Sequence, residues 1–305
     1  MTPLVSITGL SRDFDGVPAV SGLDLEVGSG ELFGIVGPDG AGKTTTLRML
    51  AGVLPPTRGD AVIRGISVVR TPELVKPHIA YMSQRFGLYE DLTVRENIDF
   101  YADLYRVPKV DRPARIERLY RFSNLGEFEG RLAGKLSGGM KQKLSLSCAL
   151  IHQPELLLLD EPTFGVDPIS RRDLWLILHE MVSDGVTIIV TTSYLDEAER
   201  CDRVALLDHG KVLALDTPAR LQAGLAGSLF TIRSPHPRRV RTSIAALPMV
   251  RKATLFGDSI HALAADGTTA DMISSALRDA GTDITSVTRI EASLEDVFID
   301  LVGDA

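Results

Sequence analysis

The chain has 305 residues, is 44% hydrophobic and 24% charged, and carries a formal net charge of −7. This length predicts one large domain and a smaller one, and the acidic balance argues against a broad nucleic-acid-binding surface. Apolar runs are far shorter than the roughly 18 residues of a membrane span, and the first residues lack the pattern of a secretory signal. Cys148 and Cys201 match no metal-ligand spacing, so we expect buried thiols in a reducing compartment.

Strand-like and helix-like segments alternate from residue 1 to about residue 224. Short apolar runs at 31–36, 156–159 and 187–190 have the length of strands that are covered on both faces. Residues 204–215 predict a hairpin that turns at the His-Gly pair in their middle. The alternation predicts an α/β domain.

The periodicity is helical between residues 93 and 123. Thr93 and Glu96 fit a capping box at a helix start, so we expect a helical subdomain here. One face of the first helix is apolar and aromatic, and we expect it to pack in the core rather than to bind a ligand. The residues of that face are Val94, Ile98, Tyr101 and Tyr105.

The pattern changes after Gly224. Segments in the order β-α-β-β-α-β predict a small ferredoxin-like α+β domain, which a final helix follows. We therefore predict two domains, 1–224 and 225–305. The predicted strands are 228–233, 250–256, 259–264 and 284–290, and the predicted helices are 238–247, 269–280 and 293–301.

A phosphate-binding loop is predicted at residues 37–44, where GPDGAGKT matches G-x-x-x-x-G-K-[ST] between a strand and a helix. Main-chain amides of such a loop point at phosphate groups, and glycine permits the close approach. Lys43 would neutralise phosphate charge, and the Thr44 hydroxyl would ligate Mg²⁺. The candidate nucleotide-binding residues are Gly37, Pro38, Asp39, Gly40, Ala41, Gly42, Lys43, Thr44 and the adjoining Thr45.

Two adjacent carboxylates follow the apolar run at 156–159. A buried strand would deliver Asp160 beside the phosphate loop, where it can hold Mg²⁺ directly or through water. The chain turns at the end of the strand, so Glu161 can face the attacking water as a general base. An apolar strand that ends in acids is common and often structural. The phosphate loop upstream is what favours a catalytic role here.

Residues 136–140, LSGGM, supply a third pattern, and the three together resemble the ABC ATPase family. The resemblance covers residues 1 to about 224 and continues in the family's order at Phe14, Gln84 and Asp167. It implies a P-loop NTPase fold with ATP and Mg²⁺ as cofactors. It also implies that Phe14 stacks on adenine, that Gln84 serves the metal site and catalysis, and that Asp167 belongs to the nucleotide site.

The resemblance further implies a division of the site between two chains. Ser137, Gly138 and Gly139 would form an anion site at a helix start and close over ATP held by an opposite cassette. The working unit would then be a head-to-tail dimer, with a second cassette that is either identical or different.

Ser193 stands where the family usually has a histidine that reaches the γ-phosphate. Serine can donate a hydrogen bond to phosphate, but it is shorter and carries no positive charge. Glu161 is intact, so we expect hydrolysis to be possible and count Ser193 among the catalytic candidates. We expect the rate to be low. Phe14 replaces a common tyrosine, a mild change because stacking needs only the ring.

Residues 80–95 and 292–299 resemble drug-export cassettes, those related to daunorubicin exporters and to two-cassette multidrug exporters. The resemblance implies a separate membrane permease and a cytoplasmic location on the inner face of the cell membrane. The C-terminal domain would then have either a dimerisation role or a regulatory role.

Three other classes of protein are alternatives to the exporter subunit. A DNA-maintenance ATPase needs a long coiled-coil insertion, and Gln84 and Ser137 are only 53 residues apart. A translation-factor protein would carry two cassettes and a basic linker, whereas this chain has one cassette and is acidic. A module that binds ATP without hydrolysing it stays open because of Ser193.

Overall fold

The computed structural model describes residues 3–84 and 87–303, and the chain divides into two compact units, Met1–Thr217 and Pro218–Ala305. The strands of the first unit are β1 (Val5–Phe14), β2 (Val17–Val27), β3 (Leu32–Val36), β4 (Arg58–Ile63), β5 (Ile66–Ser67), β6 (Ile79–Met82), β7 (Leu156–Asp160), β8 (Thr187–Thr192), β9 (Arg203–Asp208) and β10 (Lys211–Asp216). Its helices are α1 (Lys43–Leu50), α2 (Pro72–Val75), α3 (Val94–Leu104), α4 (Arg112–Ser123), α5 (Gly138–Leu150), α6 (Pro168–Ser183) and α7 (Leu195–Ala198).

The central sheet of the first unit has the strand order β10-β9-β3-β8-β7-β6. Neighbours from β9 to β6 are parallel, and β10 adds an antiparallel edge. Every residue of β3, β7 and β8 is buried, as parallel strands covered on both faces require. These strands confirm the α/β prediction. β8 runs two residues beyond the predicted segment, through Thr191 and Thr192, to the edge where the candidate site lies.

The hairpin of β9 and β10 turns at His209 and Gly210, as predicted. Both residues have positive φ angles, 44° and 77°, which are the left-handed conformations that suit a two-residue hairpin turn.

A second, antiparallel sheet has the order β2-β1-β4-β5. Its buried side chains, those of α1 and those of the central sheet form one apolar core. Because α1 is packed into this core, the loop that precedes it is held at the carboxyl edge of β3.

Helices α3, α4 and α5 form the predicted helical subdomain around their own apolar cluster. The Thr93 hydroxyl accepts the Glu96 amide at 3.1 Å, and the Thr93 amide donates to the Glu96 carboxylate at 2.8 Å, which confirms the capping box. Val94 and Ile98 are fully buried, with Tyr101 and Tyr105 packed against the cluster as expected.

Cys148 and Cys201 are buried free thiols, and burial raises the pKa of both.

The second unit contains α8 (Pro218–Ala223), β11 (Ser228–Arg233), α9 (Pro237–Ala245), β12 (Val250–Phe256), β13 (Ser259–Ala264), α10 (Ala270–Asp279), β14 (Ser286–Ile290) and α11 (Leu294–Gly303). Its antiparallel sheet has the order β12-β13-β11-β14, which a β-α-β-β-α-β chain forms in ferredoxin-like folds. The sequence-based boundary at 224 placed α8 with the first domain, whereas α8 contacts α11 within the second unit.

Both faces of the second unit's sheet are covered. Val240 of α9 and Leu277 of α10 share an apolar cluster with Phe230 on one face. On the other face α11 is held at both ends. His261 pairs with Asp296 at 2.7 Å, and Lys252 donates to main-chain oxygens near the helix end. In the described ranges, 3–84 and 87–303, no helix has the length and apolar character of a membrane span.

Candidate nucleotide-binding and catalytic site

The predicted phosphate loop connects β3 to α1. A β-carbon at Gly37 would overlap the main-chain oxygen of Leu207, and one at Gly42 would overlap that of Ala19. Gly42 also has a φ of 101°, which L-residues rarely adopt. Glycine is therefore required at these two positions by the neighbouring backbone as well as by any phosphate.

Lys43, at the start of α1, is buried and its ammonium group is held by several acceptors. It donates to the main-chain oxygens of Gly37 and Pro38 at 2.7 and 3.0 Å and lies 3.0 Å from Oε1 of Glu161. The Ser193 hydroxyl is a further neighbour at 3.3 Å. The lysine of the loop and the glutamate at the end of β7 thus form a buried ion pair across the cleft.

Thr44 and Asp160 form the part of the site that suits a divalent cation. The Thr44 hydroxyl donates to Oδ1 of Asp160 at 2.8 Å. A hydroxyl and a carboxylate side by side are the oxygen donors that Mg²⁺ prefers, so these residues fit the predicted metal. Tyr81 approaches Oδ2 of Asp160 at 3.3 Å, and its pKa is raised by burial and then by the Asp160 charge.

Glu161 is buried and has a φ of 49°, an uncommon value for a residue other than glycine. Its amide donates to the Thr191 hydroxyl at 2.9 Å, and that hydroxyl donates in turn to Oδ1 of Asp160 at 2.9 Å. Thr191 is 0% exposed. A single threonine of β8 therefore fixes both carboxylate residues, and sequence reasoning missed it.

Ser193 contacts the carboxylate of Glu161 twice. Its hydroxyl donates to Oε1 at 2.8 Å, and its amide donates to Oε2 at 3.2 Å. The same hydroxyl lies 3.4 Å from Oδ1 of Asp39 in the phosphate loop. Ser193 is thus placed between the loop and the carboxylate, where it reaches both Lys43 and Glu161.

A cleft of about 370 Å³ brings most of the predicted residues together. Phe14, at the end of β1, is 44% exposed, and the Arg12 guanidinium lies 4.7 Å from its ring centre. Gln84 also lines the cleft. The predicted residues on its wall are Phe14, Asp39, Gly40, Ala41, Gly42, Lys43, Thr44, Thr45, Gln84 and Glu161.

Residues 136–140, LSGGM, which we call the signature, do not line this cleft. Ser137 caps α5 by accepting the Met140 amide at 3.3 Å, and Ser137 and Gly138 are exposed. Gly139 is buried against Ser170. Asp167 is nearby and caps α6, and hydrogen bonds from Ser170 lower its pKa.

The chain is similar to known proteins in sequence and in fold. The sequence profile of the ABC transporter family matches residues 20–164. The chain is 45% identical over 306 residues to the probable multidrug ABC transporter ATP-binding protein YbhF of Escherichia coli (strain K12), covering 99% of this chain and 52% of that protein. It is 39% identical over 233 residues to the daunorubicin/doxorubicin resistance ATP-binding protein DrrA of Streptomyces peucetius, covering 76% and 71%. A dimeric post-hydrolysis state of the ATP-binding cassette MJ0796, bound to ADP and Pi, matches with a TM-score of 0.64 at 26% identity, covering 70% and 98%.

The chain therefore belongs to the ABC transporter family. The predicted P-loop NTPase fold and the predicted resemblance to drug-export cassettes are both confirmed. The chain spans about half the length of YbhF.

Proposed function

We propose that this chain is the ATP-hydrolysing subunit of a membrane exporter and works with a separate permease. The observation that carries the proposal is the meeting of Lys43, Glu161 and the Thr44–Asp160 pair at one cleft. The relatives named for multidrug transport and for daunorubicin/doxorubicin resistance support export as the process. We place the chain at the inner face of the cell membrane, attached through its permease.

The residues of the cleft have distinct roles in this proposal. Lys43 and the loop amides bind the β- and γ-phosphates, and Phe14 stacks on adenine. Thr44, Asp160 and Gln84 would hold Mg²⁺, which neutralises phosphate charge when bound. Glu161 accepts a proton from the attacking water at a carboxylate oxygen.

The position of the signature supports a site shared by two cassettes. Ser137, Gly138 and Asp167 do not line the cleft that contains Lys43. A head-to-tail dimer would bring them to ATP on the opposite cassette, and the MJ0796 cassette is described as dimeric. We propose ATP-driven dimerisation on this ground, with the second unit stabilising or regulating the dimer.

Ser193 carries the second candidate function, a slow or non-hydrolysing cassette in an asymmetric dimer. Its hydroxyl reaches Glu161 and Lys43, but it supplies no positive charge to a γ-phosphate. Positioning is most of phosphoryl-transfer catalysis, so a site with serine should be slow. The intact signature could still complete a fast site on a partner cassette. The competing arrangement is a homodimer in which serine suffices.

Two measurements test the exporter proposal. The purified chain should hydrolyse Mg-ATP, and Lys43→Ala should lower kcat/KM at least about a hundredfold, since the lysine acts where water screens little. Pull-down of the tagged chain from native membranes should recover a protein with membrane spans. Parent-like hydrolysis by Lys43→Ala would refute the site, and recovery of soluble proteins alone would refute export.

A further inference from the structure

Glu197 is a buried carboxylate outside the cleft, and it contacts two segments that flank the catalytic residues. It lies on α7 and is 1% exposed. Its Oε2 accepts the Thr163 hydroxyl at 2.7 Å and the Thr192 hydroxyl at 3.0 Å. Both threonines are 0% exposed. Three consecutive hydroxyls at the end of β8 thus serve three carboxylates, with Thr191 on Asp160, Thr192 on Glu197 and Ser193 on Glu161.

The direction of these hydrogen bonds is fixed by the neighbouring groups. The Thr192 hydroxyl accepts the Tyr194 amide at 3.0 Å, so its proton is free to be donated to Glu197. Oε1 of Glu197 lies 3.3 Å from Nε of Arg171, a charge contact without hydrogen-bond alignment. Oε2 therefore carries the directional bonds, while Arg171 offsets the charge.

Burial of a carboxylate is costly unless it is paired and hydrogen-bonded, so the position of Glu197 needs both threonines. Thr163 begins a loop, residues 163–167, that ends at the cap of α6. Thr192 immediately precedes Ser193. Arg171 adds a second link, because its guanidinium lies over the Tyr194 ring at 4.5 Å. The loop after Glu161 and the segment that contains Ser193 are thus tied to one acceptor atom.

We propose that Glu197 is a positioning residue for ATP hydrolysis, which holds the 163–167 loop and Ser193 in register on either side of Glu161. The inference rests on the proposed function, because it assumes that Glu161 and Ser193 act on ATP. The 163–167 loop contains Phe164, which is 59% exposed, and it ends at Asp167 beside Gly139 of the signature. A second cassette seated against this surface would therefore act on Ser193 through Glu197.

Glu197→Met is the test variant, since it keeps the chain length but removes the acceptor. We expect kcat for ATP to fall about 10- to 100-fold, the effect of misplacing a catalytic group by about an ångström. We expect the Kd for Mg-ATP to stay within about threefold, because the phosphate loop is untouched. Glu197→Gln, whose amide oxygen can still accept hydrogen bonds from both hydroxyls, should keep most of the parent's turnover. Asp196→Asn, on the exposed side of the same helix, should match the parent.

Hydrogen exchange gives a second measurement that does not depend on turnover. Glu197→Met should speed amide exchange both in 163–167 and in 192–195, whereas Asp196→Asn should change neither. Should Glu197→Met fail to fold, Thr163→Val against Thr163→Ser carries the same comparison, since only serine keeps the hydroxyl. The parent chain could show no ATP turnover while Glu197→Met still speeds amide exchange in both segments. That result would refute the proposed function and would support the role of Glu197 in positioning these segments. Parent-like kcat in Glu197→Met, exchange confined to one segment, or equal losses of kcat and ATP affinity would overturn the inference.

Discussion

Thr191→Val isolates the hydroxyl that joins the two carboxylate residues of the site. Valine has a similar volume but cannot accept the Glu161 amide or donate to Asp160, which are both 2.9 Å away. Each buried polar group left without a partner costs about 1–3 kcal/mol. Asp160 keeps its bond from Thr44, so we expect a total loss of about 2–4 kcal/mol in the free energy of unfolding.

The matched control is Thr191→Ser, which keeps the hydroxyl and loses one buried methyl group, worth about 1 kcal/mol. Trp175 is the single tryptophan of the sequence and is 1% exposed within the first unit, so its emission during urea unfolding reports this unit. At roughly 2–4 °C per kcal/mol for a unit of this size, Thr191→Val should lower Tm by about 4–16 °C. Its turnover should also fall about tenfold or more, because Glu161 is no longer held. Equal urea midpoints and equal turnover in the valine and serine variants would refute the reasoning.

Three further outcomes are expected. Glu161→Gln should trap ATP in a dimer on size exclusion with Mg-ATP, and a monomer at every concentration would count against the shared site. Ser193→His should raise turnover if serine limits the rate. If turnover does not change and the parent already hydrolyses ATP quickly, the chain works as a competent homodimer. Burial lowers the pKa of His152, whose Nε2 donates to the Ile79 oxygen at 3.0 Å. Its Nδ1 is buried and has no hydrogen-bond partner among the residues that the structure describes. The imidazole of His152 therefore binds a proton more readily in the unfolded chain, so stability should fall as the pH drops below about 6.5. His152→Phe keeps the ring stack on Tyr105 and removes the titrating group. In this variant Tm should depend less on pH below about 6.5.

Local patterns were enough to predict the phosphate loop and the strands that carry it. The loop is contiguous, and β3, β7 and β8 are uninterrupted apolar runs because both of their faces are covered. The His209 turn is a local signal of the same kind, since two adjacent residues must adopt positive φ.

Contacts that depend on the register between distant strands could not be read from the sequence. Thr191 reaches Asp160 only because β7 and β8 pair with these residues opposite each other. Glu197 lies in a short, strongly acidic segment that is typical of an exposed helix, and its burial depends on Thr163, 34 residues upstream. Two adjacent threonines at the carboxyl end of a buried strand are the signal that could have indicated the contact between Thr191 and Asp160. The membership of α8 in the second unit likewise depends on its packing with α11.

The ion pair between Lys43 and Glu161 makes the glutamate an internal competitor of ATP. In the structure the carboxylate occupies one side of the ammonium group that the phosphates would need. The ATP affinity of this chain is consequently a difference, the gain from phosphate contacts minus the cost of separating the pair. Glu161→Gln removes the negative charge that pairs with Lys43. Tighter ATP binding by this variant would therefore reflect two effects, a lysine freed from its ion pair and blocked hydrolysis. Binding measured with a non-hydrolysable ATP analogue separates the two effects, because only the released lysine can then raise the affinity.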